Sequence, residues 1–256
     1  MPERTGDAIG SFQSLYPHKI NPALFRGAPQ TRVDDFFGAN GDVLVDVSDR
    51  AGDLVESRPL HHLHAWWNTA DDMAYGPPAP QSHVVHWPLT RACDNTRPPF
   101  HAFAEVTSLL SGIDPALTCL FDQYRYARTP DYSWIILGPA GTVVRPHRDM
   151  FHTASWNLLY AGQKTWQFWR PARARADGLA PDIEMVQQPG ELIWIPEDWW
   201  HSVRYHGPAI CLSRNLLLRR SLDQVRAELK VCDAHLSHIV EALLLVEQRK
   251  HDNADA

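Results

Sequence analysis

The chain has 256 residues, 44% of them hydrophobic, and a formal net charge of −6 from 24 basic and 30 acidic side chains. That length suits one large β domain with helical additions or two small domains. The mild negative charge, with no basic stripe, argues against a nucleic-acid partner. Cys93, Cys119, Cys211 and Cys232 stand without a CxxC pair, which argues against a disulfide framework or structural zinc and makes a reducing, cytoplasmic setting the expectation. MPERTGDAIGSF at the start has no apolar signal core, and no apolar run is long enough to span a bilayer.

Residues 1–30 are interrupted by Pro17, Pro22 and Pro29 and read as an arm wrapping the domain. RVDDFF (32–37) reads as a short helix stopped by Gly38, and GDVLVDVS (41–48) as a buried strand. HHLHAWWNTADD (61–72) is compatible with a strand or a short helix. GPPAPQ (76–81) is a loop and HVVHWPL (83–89) a strand. FHAFAEVTSLLSGI (100–113) has helical spacing at Phe103, Val106, Leu109 and Leu110.

From about residue 117 the pattern changes to short strands: LTCLFDQYRYA, YSWIILGP, VVRPHRD, SWNLLYAG, KTWQFWRP, ELIWIP, HSVRYH and AICLSRNLLL, mostly separated by turn residues. Eight such strands predict a double-stranded β-helix, the jelly roll of cupins, within a mainly β chain with flanking helices. Residues 173–182 read as an exposed loop. After residue 220 the period returns to helical. Ser221 with Gln224 resembles a capping box, and Leu222, Val225, Leu229, Leu236, Val240, Leu243 and Leu244 follow, with a break near 232–234. The expected organisation is a catalytic domain over 1–220, its barrel core about 117–217, and a C-terminal helical segment over 221–250. That segment suits either a homodimer contact or packing on its own domain.

Side chains two apart on a strand share a face, so HRD (147–149) aims His147 and Asp149 at one point while Arg148 faces away. His201 follows the pattern ELIWIP and a turn at PED, at the start of a return strand. Two histidines and one carboxylate brought together on strands are what a mononuclear Fe(II) site with open positions requires. On KTWQFW, Lys164, Trp166 and Phe168 fall on one face. An ammonium directed among aromatic rings needs an anion, which a dicarboxylate beside the metal would supply. His61, His62 and His64 read as an exposed cluster, His152 and His206 as structural, and Arg145, Arg148 and Arg204 as surface residues.

The combination YSWIILGPAGTVVRPHRDMFHTASWNLLYAGQKTWQFWRP and PGELIWIPEDWWHSV…AICLSRN resembles the JmjC, or cupin-like, Fe(II)/2-oxoglutarate oxygenases, and most closely their stand-alone hydroxylases. The resemblance covers roughly residues 117–217. It implies metal ligands at His147, Asp149 and His201, and it implies that Lys164 pairs with the far carboxylate of 2-oxoglutarate. Asn157 and Ser213 match positions that help hold this co-substrate; Asn215 shares a strand face with Ser213, and Thr153 is a further candidate. Where the family often has a hydroxyl residue, this chain has Val144.

The function implied is hydroxylation of an unactivated C–H bond, with release of succinate and CO2. The substrate expected is a peptide or protein side chain, or an amino-acid-like biosynthetic intermediate. No reader domain or zinc finger points to histone demethylation. The rival readings are a metal cupin that does not use 2-oxoglutarate, such as a dioxygenase or isomerase, and a non-catalytic binding protein.

Overall fold

The structure is a computed structural model that describes residues 21–26, 33–48, 54–69, 84–88, 119–120, 132–172, 180–232, 237–238, 240–242, 244–245 and 249. The helix expected over 100–113 and the loop over 76–81 lie outside these residues, as does most of the strand expected over 117–127. Within the last of these, Leu120 has helical rather than extended backbone.

The eight strands that form the jelly roll divide four and four between two antiparallel sheets. β5 (Ser133–Gly138), β7 (Ala154–Ala161), β10 (Leu192–Ile195) and β12 (Ala209–Leu216) belong to the larger sheet. β6 (Val143–His147), β8 (Lys164–Trp169), β9 (Ile183–Gln187) and β11 (Trp200–Tyr205) form the smaller one, in the order β6-β11-β8-β9. Strand β9 lies beyond the segment read as a loop. It takes the eighth place that the sequence reading gave to 117–127. Its burial alternates only weakly and its polar face carries Glu184, a pattern suited to a sheet edge.

Residues before the jelly roll extend the larger sheet at both edges. β1 (Ala23–Phe25) pairs with β10, while β4 (Val84–Pro88), β2 (Leu44–Ser48) and β3 (Leu54–Pro59) follow β5. Helix α1 (Val33–Asn40) runs through Gly38 and ends at Asn40, whose Nδ2 donates to the Phe36 carbonyl at 2.9 Å. The ambiguous histidine-rich stretch is helix α2 (Leu60–Thr69).

Both faces of the larger sheet are covered, so β7 and β12 are buried along almost their whole length. One face presents Trp156, Leu158, Leu212 and Trp194 to Phe36 and Phe37 of α1 and Leu60 and Leu63 of α2. The other presents Leu159, Ile193, Ile195 and Cys211 to Trp166, Phe168, Val203 and Tyr205 of the smaller sheet. Each fully buried Leu or Ile contributes about 1.5–3 kcal/mol relative to exposure. The period of two assigns every strand residue to one of these cores, and a slip of one residue would exchange them.

One end of the barrel is drawn shut by turns. Gly141 N–H donates to the Tyr205 carbonyl at 3.0 Å, and His206 N–H to the Gln163 carbonyl at 2.9 Å. Gly162, with φ of +90°, lies so close to the neighbouring turn that a Cβ would fall 2.2 Å from the Pro208 oxygen. At the other end, helix α3 (Leu222–Cys232) packs Leu222, Val225 and Leu229 against Leu217 and Leu120. Ser221 Oγ donates to the Leu218 carbonyl at 3.0 Å, so its hydroxyl serves the turn before the helix rather than a capping box. No helix among the described residues is long and apolar enough to cross a membrane.

Candidate metal centre

β6 and β11 are antiparallel neighbours, and the register sets His201 opposite His147. Asp149 follows two residues after His147, where the chain leaves β6. The two imidazole centroids are 4.2 Å apart, and the candidate ligand atoms of His147, Asp149 and His201 all lie within 4.8 Å of one another. Among the described residues this is the only such group of three or more.

The surroundings prepare these atoms for a cation. His147 Nδ1 lies 2.9 Å from the Arg145 carbonyl and His201 Nδ1 3.1 Å from the Trp199 carbonyl. A carbonyl only accepts, so each Nδ1 carries the proton and each Nε2 keeps a free lone pair. Asp149 Oδ2 accepts the Ser155 hydroxyl at 2.5 Å. His201 is 3% exposed and its ring lies 6.0 Å from Trp166 and 6.3 Å from Phe168. Burial pushes its pKa down to about 4, with His147 adding to the shift and Asp149 opposing it. Two neutral imidazoles and one carboxylate on one side of a point are a donor set that fits Fe(II) and leaves other positions open.

Lys164, Trp166 and Phe168 all face the barrel interior, as their spacing predicts. Lys164 is 1% exposed. Its Nζ lies 2.8 Å from Cys211 Sγ, 3.3 Å from Asn157 Oδ1 and 4.5 Å from the centroid of the Tyr205 ring. Asn157 Nδ2 in turn donates to Cys211 Sγ at 3.3 Å. Burial holds the Lys164 pKa below the usual lysine range, with Cys211 opposing the shift. Burial likewise pushes the Tyr205 hydroxyl well up. No carboxylate meets Lys164 among the described residues. A buried ammonium with amide, thiol and ring neighbours fits an incoming anion, because an uncompensated buried charge is costly.

The other expected co-substrate residues are distributed differently. Ser213 Oγ donates to the Trp156 carbonyl at 3.1 Å. Asn215 Nδ2 donates to Thr153 Oγ1 at 2.9 Å, and Thr153 Oγ1 donates to the Met150 carbonyl at 2.7 Å. These two residues thus hold the turn after Asp149 rather than the Lys164 pocket. Val144 packs against the interior core, and Thr142 Oγ1 donates to the Pro139 carbonyl at 2.8 Å. His206 is exposed against Thr165, His61 contacts the Gly41 carbonyl, and His64 stacks on Phe37. Arg145, Arg148 and Arg204 are exposed, with Arg148 over the Trp200 ring at 5.1 Å.

Two pocket residues escape a reading by motif. Tyr205 shares the inward face of β11 with His201 and Val203, and Cys211 shares that of β12 with Ser213. The period of two carried from His201 would have found Tyr205. Buried Gln187 ties the layers together, accepting from Trp166 Nε1 at 2.8 Å and donating to the Asn157 and Glu191 carbonyls.

No protein-family model matches the chain. Among curated proteins it is similar to "2-oxoglutarate and iron-dependent oxygenase JMJD4" of Mus musculus, with 28% identity over 68% of this chain and 47% of that protein. It is also similar to "Arginine-specific demethylase JMJ22" of Arabidopsis thaliana, 28% identical over 40% of this chain and 26% of that protein. A third relative is "Bifunctional arginine demethylase and lysyl-hydroxylase psr-1" of Caenorhabditis briggsae, 27% identical over 38% and 32%. The chain thus spans half or less of the length of these relatives. Among solved structures, ycfD of E. coli aligns at a TM-score of 0.45 and 17% identity, over 86% of this chain and 56% of that one. The curated relatives are JmjC-type oxygenases, the same class that the sequence motifs resemble.

Proposed function

We propose, from this likeness to JmjC-type oxygenases, that the protein is an Fe(II)- and 2-oxoglutarate-dependent hydroxylase. One observation carries the reading: three candidate ligands converge on the barrel wall that also buries Lys164, a cation with no carboxylate partner among the described residues. In this reading His147 Nε2, His201 Nε2 and the Asp149 carboxylate hold the iron. Bound iron and 2-oxoglutarate supply the oxidising chemistry, in which dioxygen and 2-oxoglutarate give succinate, CO2 and one hydroxylated C–H bond.

The rest is the work of the chain. The Arg145 and Trp199 carbonyls fix the two imidazoles in one tautomer and orientation. Ser155 occupies one Asp149 oxygen and so orients the carboxylate. Lys164 binds the far carboxylate of the co-substrate, steadied by Asn157, and Tyr205 closes the pocket over it. Trp166 and Phe168 keep water from the space between. Within this reading the substrate is a peptide or protein side chain or an amino-acid-like small molecule. A homodimer through the C-terminal helices is part of the proposal and is tested by sedimentation of the full chain.

The test is turnover. Anaerobically purified protein is loaded with Fe(II) and given 2-oxoglutarate and dioxygen, and succinate is measured. Slow succinate release is expected without a second substrate and none with Asp149→Ala. Lys164→Ala should remove most of it. Iron-loaded wild-type protein that never consumes 2-oxoglutarate would overturn the proposal, and full activity of Lys164→Ala on an oxygen-consuming reaction would favour a cupin that does not use 2-oxoglutarate.

A further inference from the structure

Left-handed backbone is rare outside glycine and persists where surrounding contacts over-determine it. Among the described residues four non-glycine positions adopt it: Tyr132, Phe151, His152 and Asp198. Phe151 and His152 stand two and three residues after Asp149. Asp198 lies in the turn that leads to His201. Tyr132, Phe151 and His152 meet one structure, the C-terminal helix α3, and Asp198 is joined to it through His152.

The contacts are specific. Tyr132 and Phe151 pack against the apolar cluster of Leu217, Leu222, Val225 and Leu229. His152 Nδ1 donates to Asp198 Oδ1 at 2.5 Å, joining the two turns directly. On its other side, His152 Nε2 lies 3.5 Å from Glu228 Oε2 on α3. Arg220, just before α3, grips Glu197 with two bonds of 2.6 and 2.7 Å. One turn follows a candidate ligand and the other precedes one, and the helix holds both.

We propose that α3 is a brace for the metal centre, and that His152 and Arg220 are positioning residues that set the spacing of Asp149 and His201 without touching the ion. The inference rests on the iron reading above. It assigns a role to the C-terminal segment within its own chain. Coupling of this kind is reciprocal: the helix favours the closed ligand set, and a bound ion favours the docked helix.

Co(II) serves as the probe, because its visible spectrum reports ligand number and geometry without turnover. His152→Ala and Arg220→Ala should each weaken Co(II) binding at least tenfold and alter its spectrum. His152→Asn, which keeps an N–H for Asp198, should restore binding to within a few-fold. Arg226→Ala breaks another α3 ion pair, Arg226–Glu241 at 2.6 Å, and should leave Co(II) affinity unchanged. Co(II) should also slow amide exchange in α3. If His152→Ala does not fold, Glu228→Gln and Arg220→Lys give the same readout. Wild-type affinity and spectrum in the brace variants overturn the brace alone. Wild-type protein that binds no Co(II) overturns both it and the iron reading.

Discussion

Lys164, in the proposed role of co-substrate anchor, shows what such a side chain would cost the fold. An ammonium with 1% exposure and no carboxylate among its described neighbours destabilises the empty protein. Lys164→Met should stabilise the co-substrate-free protein by about 1–4 kcal/mol, measured by urea unfolding. The same change should weaken 2-oxoglutarate binding by roughly 30-fold or more, since it removes one half of a buried ion pair. The pKa shift gives a second readout. Because burial lowers the Lys164 pKa in the folded state, the folded protein loses this proton at lower pH than the unfolded chain does. Stability without co-substrate should therefore rise with pH across the window just below the ordinary lysine range. Affinity for 2-oxoglutarate should fall across the same window, as the ammonium it pairs with disappears; calorimetric titration at several pH values measures this. His147, Asp149 and Lys164 were legible in the sequence because each belongs to a run with period two. Cys211 was not, because its place beside Lys164 depends on how β12 registers with β7, and no local pattern carries that.

At the scale of elements, turns decide whether the two sheets meet correctly. Gly162 takes a φ of +90° and leaves no room for a Cβ against the Pro208 oxygen and the Ala209 Cα. The obstacle is backbone, so it cannot swing aside. Gly162→Ala should destabilise the protein by about 2–4 kcal/mol in chemical denaturation, with loss of β7–β8 alignment. Short apolar and aromatic runs set off by turn residues made β5, β7, β8, β10, β11 and β12 readable. β9 was not, for an edge strand of five residues has half its side chains in water and little periodicity to show. Gly38 misled for the opposite reason. It has open space around it, and the helix continues to Asn40 because Phe36 and Phe37 are both held in the core.

At the scale of the whole molecule, the jelly roll follows from strand count and turn spacing, while the layer outside it does not. The larger sheet reaches eight strands only because β1 to β4 join its edges; β2 and β3 pair locally, while β1 and β4 reach partners separated from them by long stretches of chain. Local pattern marked β2 and β4 as strands but not β1 or β3, and it did not show which strands they would join. The C-terminal helix was likewise visible as a helix, and its apolar stripe was open to two uses. Leu222, Val225 and Leu229 are buried against residues of the same chain, so that stripe has an intramolecular partner whatever else the segment contacts.

The turns that shut one end of the barrel have a kinetic consequence. With Gly141 bonded to Tyr205, His206 to Gln163, and Gly162 against Pro208, Lys164 lies buried beside the closed end of the barrel. In the proposed function, a co-substrate held there arrives and departs past the His147, Asp149 and His201 group. Under the proposed activity, binding would then be compulsory in order: 2-oxoglutarate first, the second substrate after it, and succinate last to leave. An inert analogue of the second substrate should be uncompetitive toward 2-oxoglutarate in steady-state kinetics, and a second substrate in excess should trap succinate and slow turnover.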